Sequence, residues 1–201
     1  MPLKIIHPYH TEIMGRGLVL LSNPHIAWAK RDLYTGQIVE EAALLSKSWA
    51  IIAKESKQLQ GEAEARLAMS DSDKSVRDFV DEYGVKCLIA ISGTADSGIT
   101  VKSHADDSES EEVLDIIKSG FEPHFNVNLD ADQSRNKLSN SRTNNGRDDG
   151  SSTHPVNTVQ IELGPEERSF RKDQIVNSLA DIVSLINAKL GFSESSSSVL
   201  D

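Results

Sequence analysis

Residues 17–54 read GLVLLSNPHIAWAKRDLYTGQIVEEAALLSKSWAIIAK, with two short apolar runs on either side of a segment with helical spacing. The runs GLVLLS and WAIIAK are nearly continuous in apolar residues and are bounded by turn residues, which is typical of buried strands. Between them, Ile38, Ala42 and Leu45 recur at spacings of four and three and predict one apolar face of a helix, which Thr35 can cap. The stretch therefore predicts a strand, a helix and a second strand in succession.

Three further apolar runs and three further helical segments extend this alternation along the chain. The runs are LKIIH, VKCLIAIS and TVQIEL, and the helical segments are SDKSVRDFVDEYG, SEEVLDIIKSGF and SFRKDQIVNSLADIVSLINAKLGF. Strands that alternate with helices form a largely parallel or mixed sheet with helices on both faces. We therefore predict a single three-layer α/β domain over residues 1–191.

Two segments lack the apolar residues that a core requires. Residues 130–153 contain one leucine and no aromatic residue among many Asn, Ser, Asp and Gly residues, and residues 192–201 are rich in serine. Such compositions bury too little apolar surface to offset the entropy of ordering the chain. We predict a polar mobile loop for the first segment and a disordered tail for the second.

Charge and composition exclude several classes of protein. The 201 residues carry a formal charge of −10, and no segment gathers basic residues, which argues against nucleic-acid binding. No apolar run approaches the roughly 18 residues that a membrane-spanning helix needs. Cys87 is the only cysteine, which favours a reducing compartment. We predict a cytoplasmic protein that binds neither nucleic acid nor membrane, and the sequence leaves its oligomeric state open.

A histidine and an aspartate follow the first strand of residues 17–54. Pro24 fixes its own φ and favours an extended Asn23, so His25 is expected near the carboxyl edge of the sheet, where open α/β sheets place their sites. Imidazole and carboxylate are standard zinc ligands, and zinc needs at least one further protein ligand. His25 and Asp32 are therefore either two metal ligands or parts of a polar turn in which Asp32 favours the next helix N-terminus.

The run TVQIEL places a carboxylate in a strand that is expected to be buried on both faces. Because an unpaired buried charge is expensive, Glu162 is expected to lie at the strand's end, to pair with a cation, or to take part in chemistry. A glutamate at the carboxyl end of a strand is well placed to act as a general base. Arg168 follows, where it can bind a carboxylate or neutralise Glu166 and Glu167.

The order of these motifs resembles the N-formylglutamate amidohydrolase-like proteins over residues 18–190. The shared features are a strand ending in PH, a following RDLYTG, a central strand ending in a small residue and Gly, and TVQIELGPEER before a long terminal helix. The resemblance implies a zinc-carboxypeptidase-like α/β fold and a bound zinc that serves the hydrolysis of small N-acyl amino-acid amides. It also implies that His25 and Asp32 bind the zinc, that Glu162 is the catalytic carboxylate and that Arg168 binds substrate.

Two motifs of that family are missing. Where the family carries Asp-x-His-Gly at the end of a central strand, this chain reads AISG, so Ala90 and Ser92 replace the aspartate and a histidine ligand. A hydroxyl is a poor zinc ligand, and the loss of an imidazole weakens metal binding. The family's Asp-x-Asn-Arg pattern is also not recognisable in KQLQGEAEARLAMSDSD, which occupies its place. Both departures argue against efficient chemistry of the family's type.

Four other histidines have no motif behind them. We interpret His104 and His154 as surface residues. His7 and His10 are close in the sequence, but Pro8 between them rules out a helical pair at this spacing. We therefore assign no metal role to these four histidines from the sequence.

Two functions from different classes remain. In the first, the chain is a metal-dependent hydrolase of a small-molecule amide, in which His25, Asp32 and a third ligand hold zinc while Glu162 moves a proton. In the second, it is a catalytically inactive fold relative that binds a small acidic ligand or a protein partner. A serine nucleophile at Ser92 is a weaker third hypothesis, because the Gly-x-Ser-x-Gly elbow is absent.

Overall fold

The computed structural model describes residues 2–23, 34–53, 62–103, 108–130 and 156–192. In this part of the chain there are eight strands and five helices. The strands are β1 (Leu3–Ile6), β2 (His10–Met14), β3 (Val19–Asn23), β4 (Trp49–Ala53), β5 (Cys87–Gly93), β6 (Ile99–Ser103), β7 (Val127–Asp130) and β8 (Asn157–Leu163). The helices are α1 (Thr35–Ser46), α2 (Glu62–Tyr83), α3 (Ser108–Phe121), α4 (Pro165–Ser169) and α5 (Lys172–Lys189).

All eight strands belong to one mixed sheet in the order β1-β2-β4-β3-β5-β8-β6-β7. The four central strands, β4, β3, β5 and β8, run parallel to one another. On one side β2 joins β4 antiparallel and is followed by β1, and on the other side β6 joins β8 antiparallel and is followed by β7. The carboxyl ends of the four parallel strands therefore meet at one edge of the sheet.

Helices cover both faces of this sheet, because successive residues of its central strands point to opposite sides. Leu21 and Ile89 face a core that includes α1, α3 and α5, whereas Leu20 and Leu88 face a second cluster that includes α2. The Cys87 side chain is buried in the first of these cores. This arrangement confirms the predicted three-layer α/β architecture with a mixed sheet.

The five strands predicted from apolar runs are confirmed, but β2, β6 and β7 are not among those predictions. β2 and β6 mix buried with half-buried positions, and β7 is largely exposed. They lie on the antiparallel flanks of the sheet, where one face does not need a continuous apolar sequence. Apolar runs therefore identify the four central strands and the edge strand β1, and they miss the other three flanking strands.

The predicted helices are confirmed, although the two residues predicted to cap helices, Thr35 and Ser72, lie within them instead. The helix predicted from Ser72 begins ten residues earlier, at Glu62, so Ser72 lies within α2 instead of capping it. At α1 the N-cap residue is Tyr34, which adopts the left-handed conformation with φ 73°, and Thr35 is buried as the first helical residue. None of the described helices is both long enough and apolar enough to cross a lipid bilayer.

Candidate functional site

Polar side chains gather where the parallel strands end. Ser22 and Asn23 close β3, Ser92 lies near the end of β5, and Gln160 and Glu162 lie on β8. Asn23 is buried, and its Oδ1 accepts a hydrogen bond of 2.8 Å from the backbone N–H of Ala53 at the end of β4. Asn23 therefore ties two neighbouring strand ends together.

Glu162 lies at the centre of a hydrogen-bonded group on β5, β8 and β6. It is the register partner of Ser92 across β5 and β8 and of Thr100 across β8 and β6. Gln160 Nε2 donates to Ser92 Oγ at 3.3 Å and to Glu162 Oε1 at 3.2 Å, and Lys102 Nζ donates to the same Oε1 at 2.8 Å. The carboxylate thus pairs with a cation, one of the three expectations drawn from its position in the sequence.

The two bonds to Glu162 leave its oxygens in different roles. Both the Lys102 and the Gln160 bonds end on Oε1, so Oε2 takes part in neither. The side chain retains 21% exposure. A carboxylate fixed through one oxygen and partly open to solvent can accept a proton through the other, which is the geometry that a general base requires.

Arg168 lies on α4, directly after β8, and its guanidinium points into the protein. It is 6% exposed, and Nη1 donates to the backbone carbonyls of Thr94 at 2.9 Å and of Leu163 at 2.8 Å. These bonds join the end of β8 to the loop that follows β5. Neither of the two uses considered from the sequence, carboxylate binding or neutralisation of Glu166 and Glu167, accounts for these contacts.

The remaining predicted site residues cannot be added to this geometry. His25 and Asp32 lie outside the described residues, as do His104 and His154. Of the predicted polar loop, Asp130 ends β7, and residues 131–153 also fall outside. The structure brings Glu162, Arg168 and Ser92 to the same sheet edge, and a metal role for His25 and Asp32 stays a prediction.

A second polar group, which the sequence analysis did not assign, lies on the hairpin of β1 and β2. The pairing that matches Ile6 with Thr11 continues to His7 and His10, and the backbone N–H of His7 donates to the carbonyl of His10 at 2.9 Å. The two imidazole rings stack with their centroids 4.4 Å apart. Glu12 lies two residues beyond His10 and therefore on the same face of the strand.

The carboxylate of Glu12 lies between the two imidazoles. His10 Nε2 is 3.1 Å from its Oε1, His7 Nε2 is 3.0 Å from its Oε2, and Ser75 Oγ on α2 is 3.0 Å from His10 Nε2. Burial by itself raises the pKa of Glu12, but hydrogen bonding to His10, Ser75 and His7 outweighs burial and lowers that pKa below its ordinary value. The group therefore favours an ionised carboxylate beside two imidazole nitrogens.

The spacing of His7 and His10 predicts that they are neighbours in a hairpin, but not in a helix that Pro8 interrupts. Pro8 excludes a helix, in which residues three apart share a face, so a helical pattern gives no pairing of His7 with His10. In a hairpin with two loop residues, however, the residues on either side of the loop are directly opposed across the strands. A prediction of β2 next to LKIIH would have brought His7 and His10 together.

The fold is shared with solved amidases and peptidases. Neither a protein-family model nor a curated protein matches the sequence. The structure of the CwlD amidase from Clostridioides difficile in complex with the GerS lipoprotein aligns with a TM-score of 0.50 and 15% identity over 87% of this chain and 98% of that chain. A bacteriophage poly-gamma-glutamate hydrolase aligns with a TM-score of 0.54 and 11% identity over 92% of this chain and 91% of that chain.

A third structure extends the likeness to carboxypeptidases. A metallo-carboxypeptidase from Pseudomonas aeruginosa aligns with a TM-score of 0.51 and 11% identity over 88% of this chain and 61% of that chain. At such identities the likeness is one of fold, because residue roles do not transfer with architecture. The chain thus has the α/β fold of zinc carboxypeptidases and amidases, as the sequence resemblance implied.

Proposed function

We propose that this protein is an N-formylglutamate amidohydrolase-like, metal-dependent hydrolase that acts on a small N-acyl amino acid or a related amide. The observation that carries the proposal is the position of Glu162 at the carboxyl end of β8. Lys102 and Gln160 both bond to its Oε1, and neither bonds to its Oε2. The shared fold supports it, since the neighbours named above include an amidase, a poly-gamma-glutamate hydrolase and a metallo-carboxypeptidase.

In this proposal the zinc ligands include His25 and Asp32, because imidazole and carboxylate are standard zinc ligands. These two side chains would hold the ion, and zinc would supply Lewis acidity toward the amide carbonyl. Ser92 does not fit as a ligand, because its Oγ accepts a hydrogen bond from Gln160 and a hydroxyl binds zinc poorly. The proposed site therefore needs its remaining ligand from elsewhere in the chain or from solvent.

The roles of the other residues in the proposed reaction follow from their contacts. Glu162 accepts a proton from the attacking water through Oε2 and returns it to the leaving nitrogen. Lys102 and Gln160 fix the carboxylate by holding Oε1. Arg168 acts in this proposal by keeping the β8 end in place, through its bonds to Thr94 and Leu163.

A second candidate function is a fold relative without hydrolytic activity that binds a small acidic ligand. The ion pair between Lys102 and Glu162 favours this alternative, because it occupies the carboxylate with a cation. Ser92 in place of an imidazole favours it as well. The two candidates differ in whether the sheet edge binds a metal.

Metal analysis of protein purified without a histidine tag separates these candidates. We expect His25→Ala to bind one zinc per chain fewer than the wild-type protein, because an imidazole ligand is lost. His124→Ala is the matched control, since His124 is an exposed residue between α3 and β7. Equal zinc content in wild type and His25→Ala, after zinc is supplied to both, would exclude the hydrolase proposal and leave the ligand-binding alternative.

A further inference from the structure

The groove between the β1–β2 hairpin and α2 has the features of a cation site. It encloses about 340 Å³, and His7, His10 and Glu12 line it from the hairpin. From α2 it receives Asp78 and Glu82, together with other side chains that include one cation, Lys74. The carboxylates in this groove outnumber its lysine, so its field attracts a cation.

The ligand atoms of the hairpin are already close enough to share one ion. One nitrogen from each of His7 and His10 and one oxygen from Glu12 lie within 4.8 Å of one another. Zinc binds nitrogen and carboxylate oxygen at about 2.0–2.2 Å in tetrahedral geometry, which places its ligand atoms about 3.4 Å apart. His7 Nε2 lies 3.0 Å from Glu12 Oε2 and His10 Nε2 lies 3.1 Å from Glu12 Oε1, so each imidazole is already at about this distance from one of the two carboxylate oxygens. Small rotations of these side chains would admit an ion.

The backbone preorganises these ligands. Pro8 has a fixed φ within the turn, and β2 is hydrogen-bonded on both sides, to β1 and to β4. His10 is 1% exposed, so its ring is held by the surrounding side chains. An ion bound through Nε2 would replace the contact that Ser75 of α2 makes with that nitrogen. Ligands on paired strands are held more precisely than ligands on loops, so the side chains would lose little conformational entropy when an ion binds.

We propose that His7, His10 and Glu12 form a divalent transition-metal site distinct from the sheet-edge site. Two imidazoles and one carboxylate favour Zn²⁺ and its neighbours Co²⁺, Ni²⁺ and Cu²⁺ over Mg²⁺ and Ca²⁺, which prefer oxygen ligands. Three protein ligands leave a position open on the groove side, which a water molecule or a ligand group can fill. The ligand in this fourth position could therefore exchange with solvent.

The hairpin group cannot share an ion with Glu162. β2 and β8 are separated by β4, β3 and β5 in the sheet, which places their backbones about 19 Å apart at the usual strand spacing. Zinc bonds are about 2 Å long, so one ion cannot reach both groups. The hairpin site and the proposed hydrolase site can therefore succeed or fail independently.

Titration of metal-stripped protein with Co²⁺ and Zn²⁺ tests the proposal. We expect the wild-type protein to show a visible Co²⁺ ligand-field band that zinc abolishes, and His7→Ala and Glu12→Gln to weaken binding at this site at least about 100-fold. These two residues are preferred to His10 because they are less buried, and thermal unfolding in EDTA verifies that each variant folds. His124→Ala is again the control.

Combining these variants with His25→Ala distinguishes the two sites. Metal that is lost in His7→Ala and Glu12→Gln but retained in His25→Ala supports the hairpin site, whatever the outcome for the hydrolase. Metal that is lost only in His25→Ala supports the hydrolase and overturns the hairpin site. An absence of Co²⁺ and Zn²⁺ binding in the folded wild-type protein also overturns it, and the stacked histidines are then a hydrogen-bonded group around Glu12.

Discussion

Arg168→Ala is expected to lower the free energy of unfolding by about 3–5 kcal/mol. The guanidinium is buried and donates to the carbonyls of Thr94 and Leu163. Each buried acceptor that loses its donor costs about 1–3 kcal/mol, and the cavity left by the side chain adds to this loss. Urea unfolding followed by circular dichroism gives the measurement.

Arg77→Ala is the matched control for this prediction, because Arg77 is an exposed arginine on α2. We expect it to change stability by no more than about 0.5 kcal/mol. Arg168→Lys keeps the charge but loses the planar guanidinium, so it should fall between the two. If Arg168→Ala were as stable as Arg77→Ala, the structural role would be wrong, and the substrate-binding role predicted for Arg168 would gain support.

Gly15→Ala is expected to lower the free energy of unfolding by at least about 3 kcal/mol or to prevent folding. Gly15 follows β2 and lies against the backbone at the start of β4. A Cβ at this position would overlap the carbonyl group of Ser48 and lie 2.6 Å from the backbone nitrogen of Trp49. Backbone atoms of a paired strand cannot move aside as the end of a flexible side chain can, so β2 and β4 would have to separate.

Gly36→Ala provides the comparison for Gly15→Ala. Its added methyl group meets only side-chain atoms, Asn23 Nδ2 and Ile52 Cγ2, each at 3.3 Å. Gly36 is also helical, where alanine is favoured by about 1 kcal/mol. We expect a net change within about 1 kcal/mol for Gly36→Ala. Equal unfolding midpoints for the two variants would show that the approach of Gly15 to Ser48 does not constrain the fold.

The two metal proposals place an ion at different parts of the sheet. The hydrolase proposal places chemistry at the carboxyl ends of β3, β5 and β8, whereas the hairpin proposal concerns the flank formed by β1 and β2. A protein that binds metal only at the hairpin would have the fold of a metal-dependent hydrolase and a metal in a different position. The comparison of His25→Ala with His7→Ala therefore matters more than the total zinc content.

The sequence by itself determined the central architecture. Apolar runs identify β3, β4, β5 and β8, and the helical spacings between them identify the layers that cover the sheet. These signals suffice because a strand buried on both faces must be largely apolar, and that requirement is visible within a few residues. The sequence left Glu162 at a strand end, in a pair with a cation or in chemistry, and the structure places it near the end of β8, where it pairs with Lys102.

The tertiary structure decided which side chains meet. Lys102 reaches Glu162 only because β6 inserts antiparallel beside β8, across a separation of 60 residues. Arg168 donates to the carbonyl of Thr94, 74 residues away, and His10 contacts Ser75, 65 residues away. Local periodicity contains no information about such contacts, because strand order and register fix them. The pairing of His7 with His10 is local in sequence, yet it too required knowledge that the chain turns there as a hairpin and not as a helix.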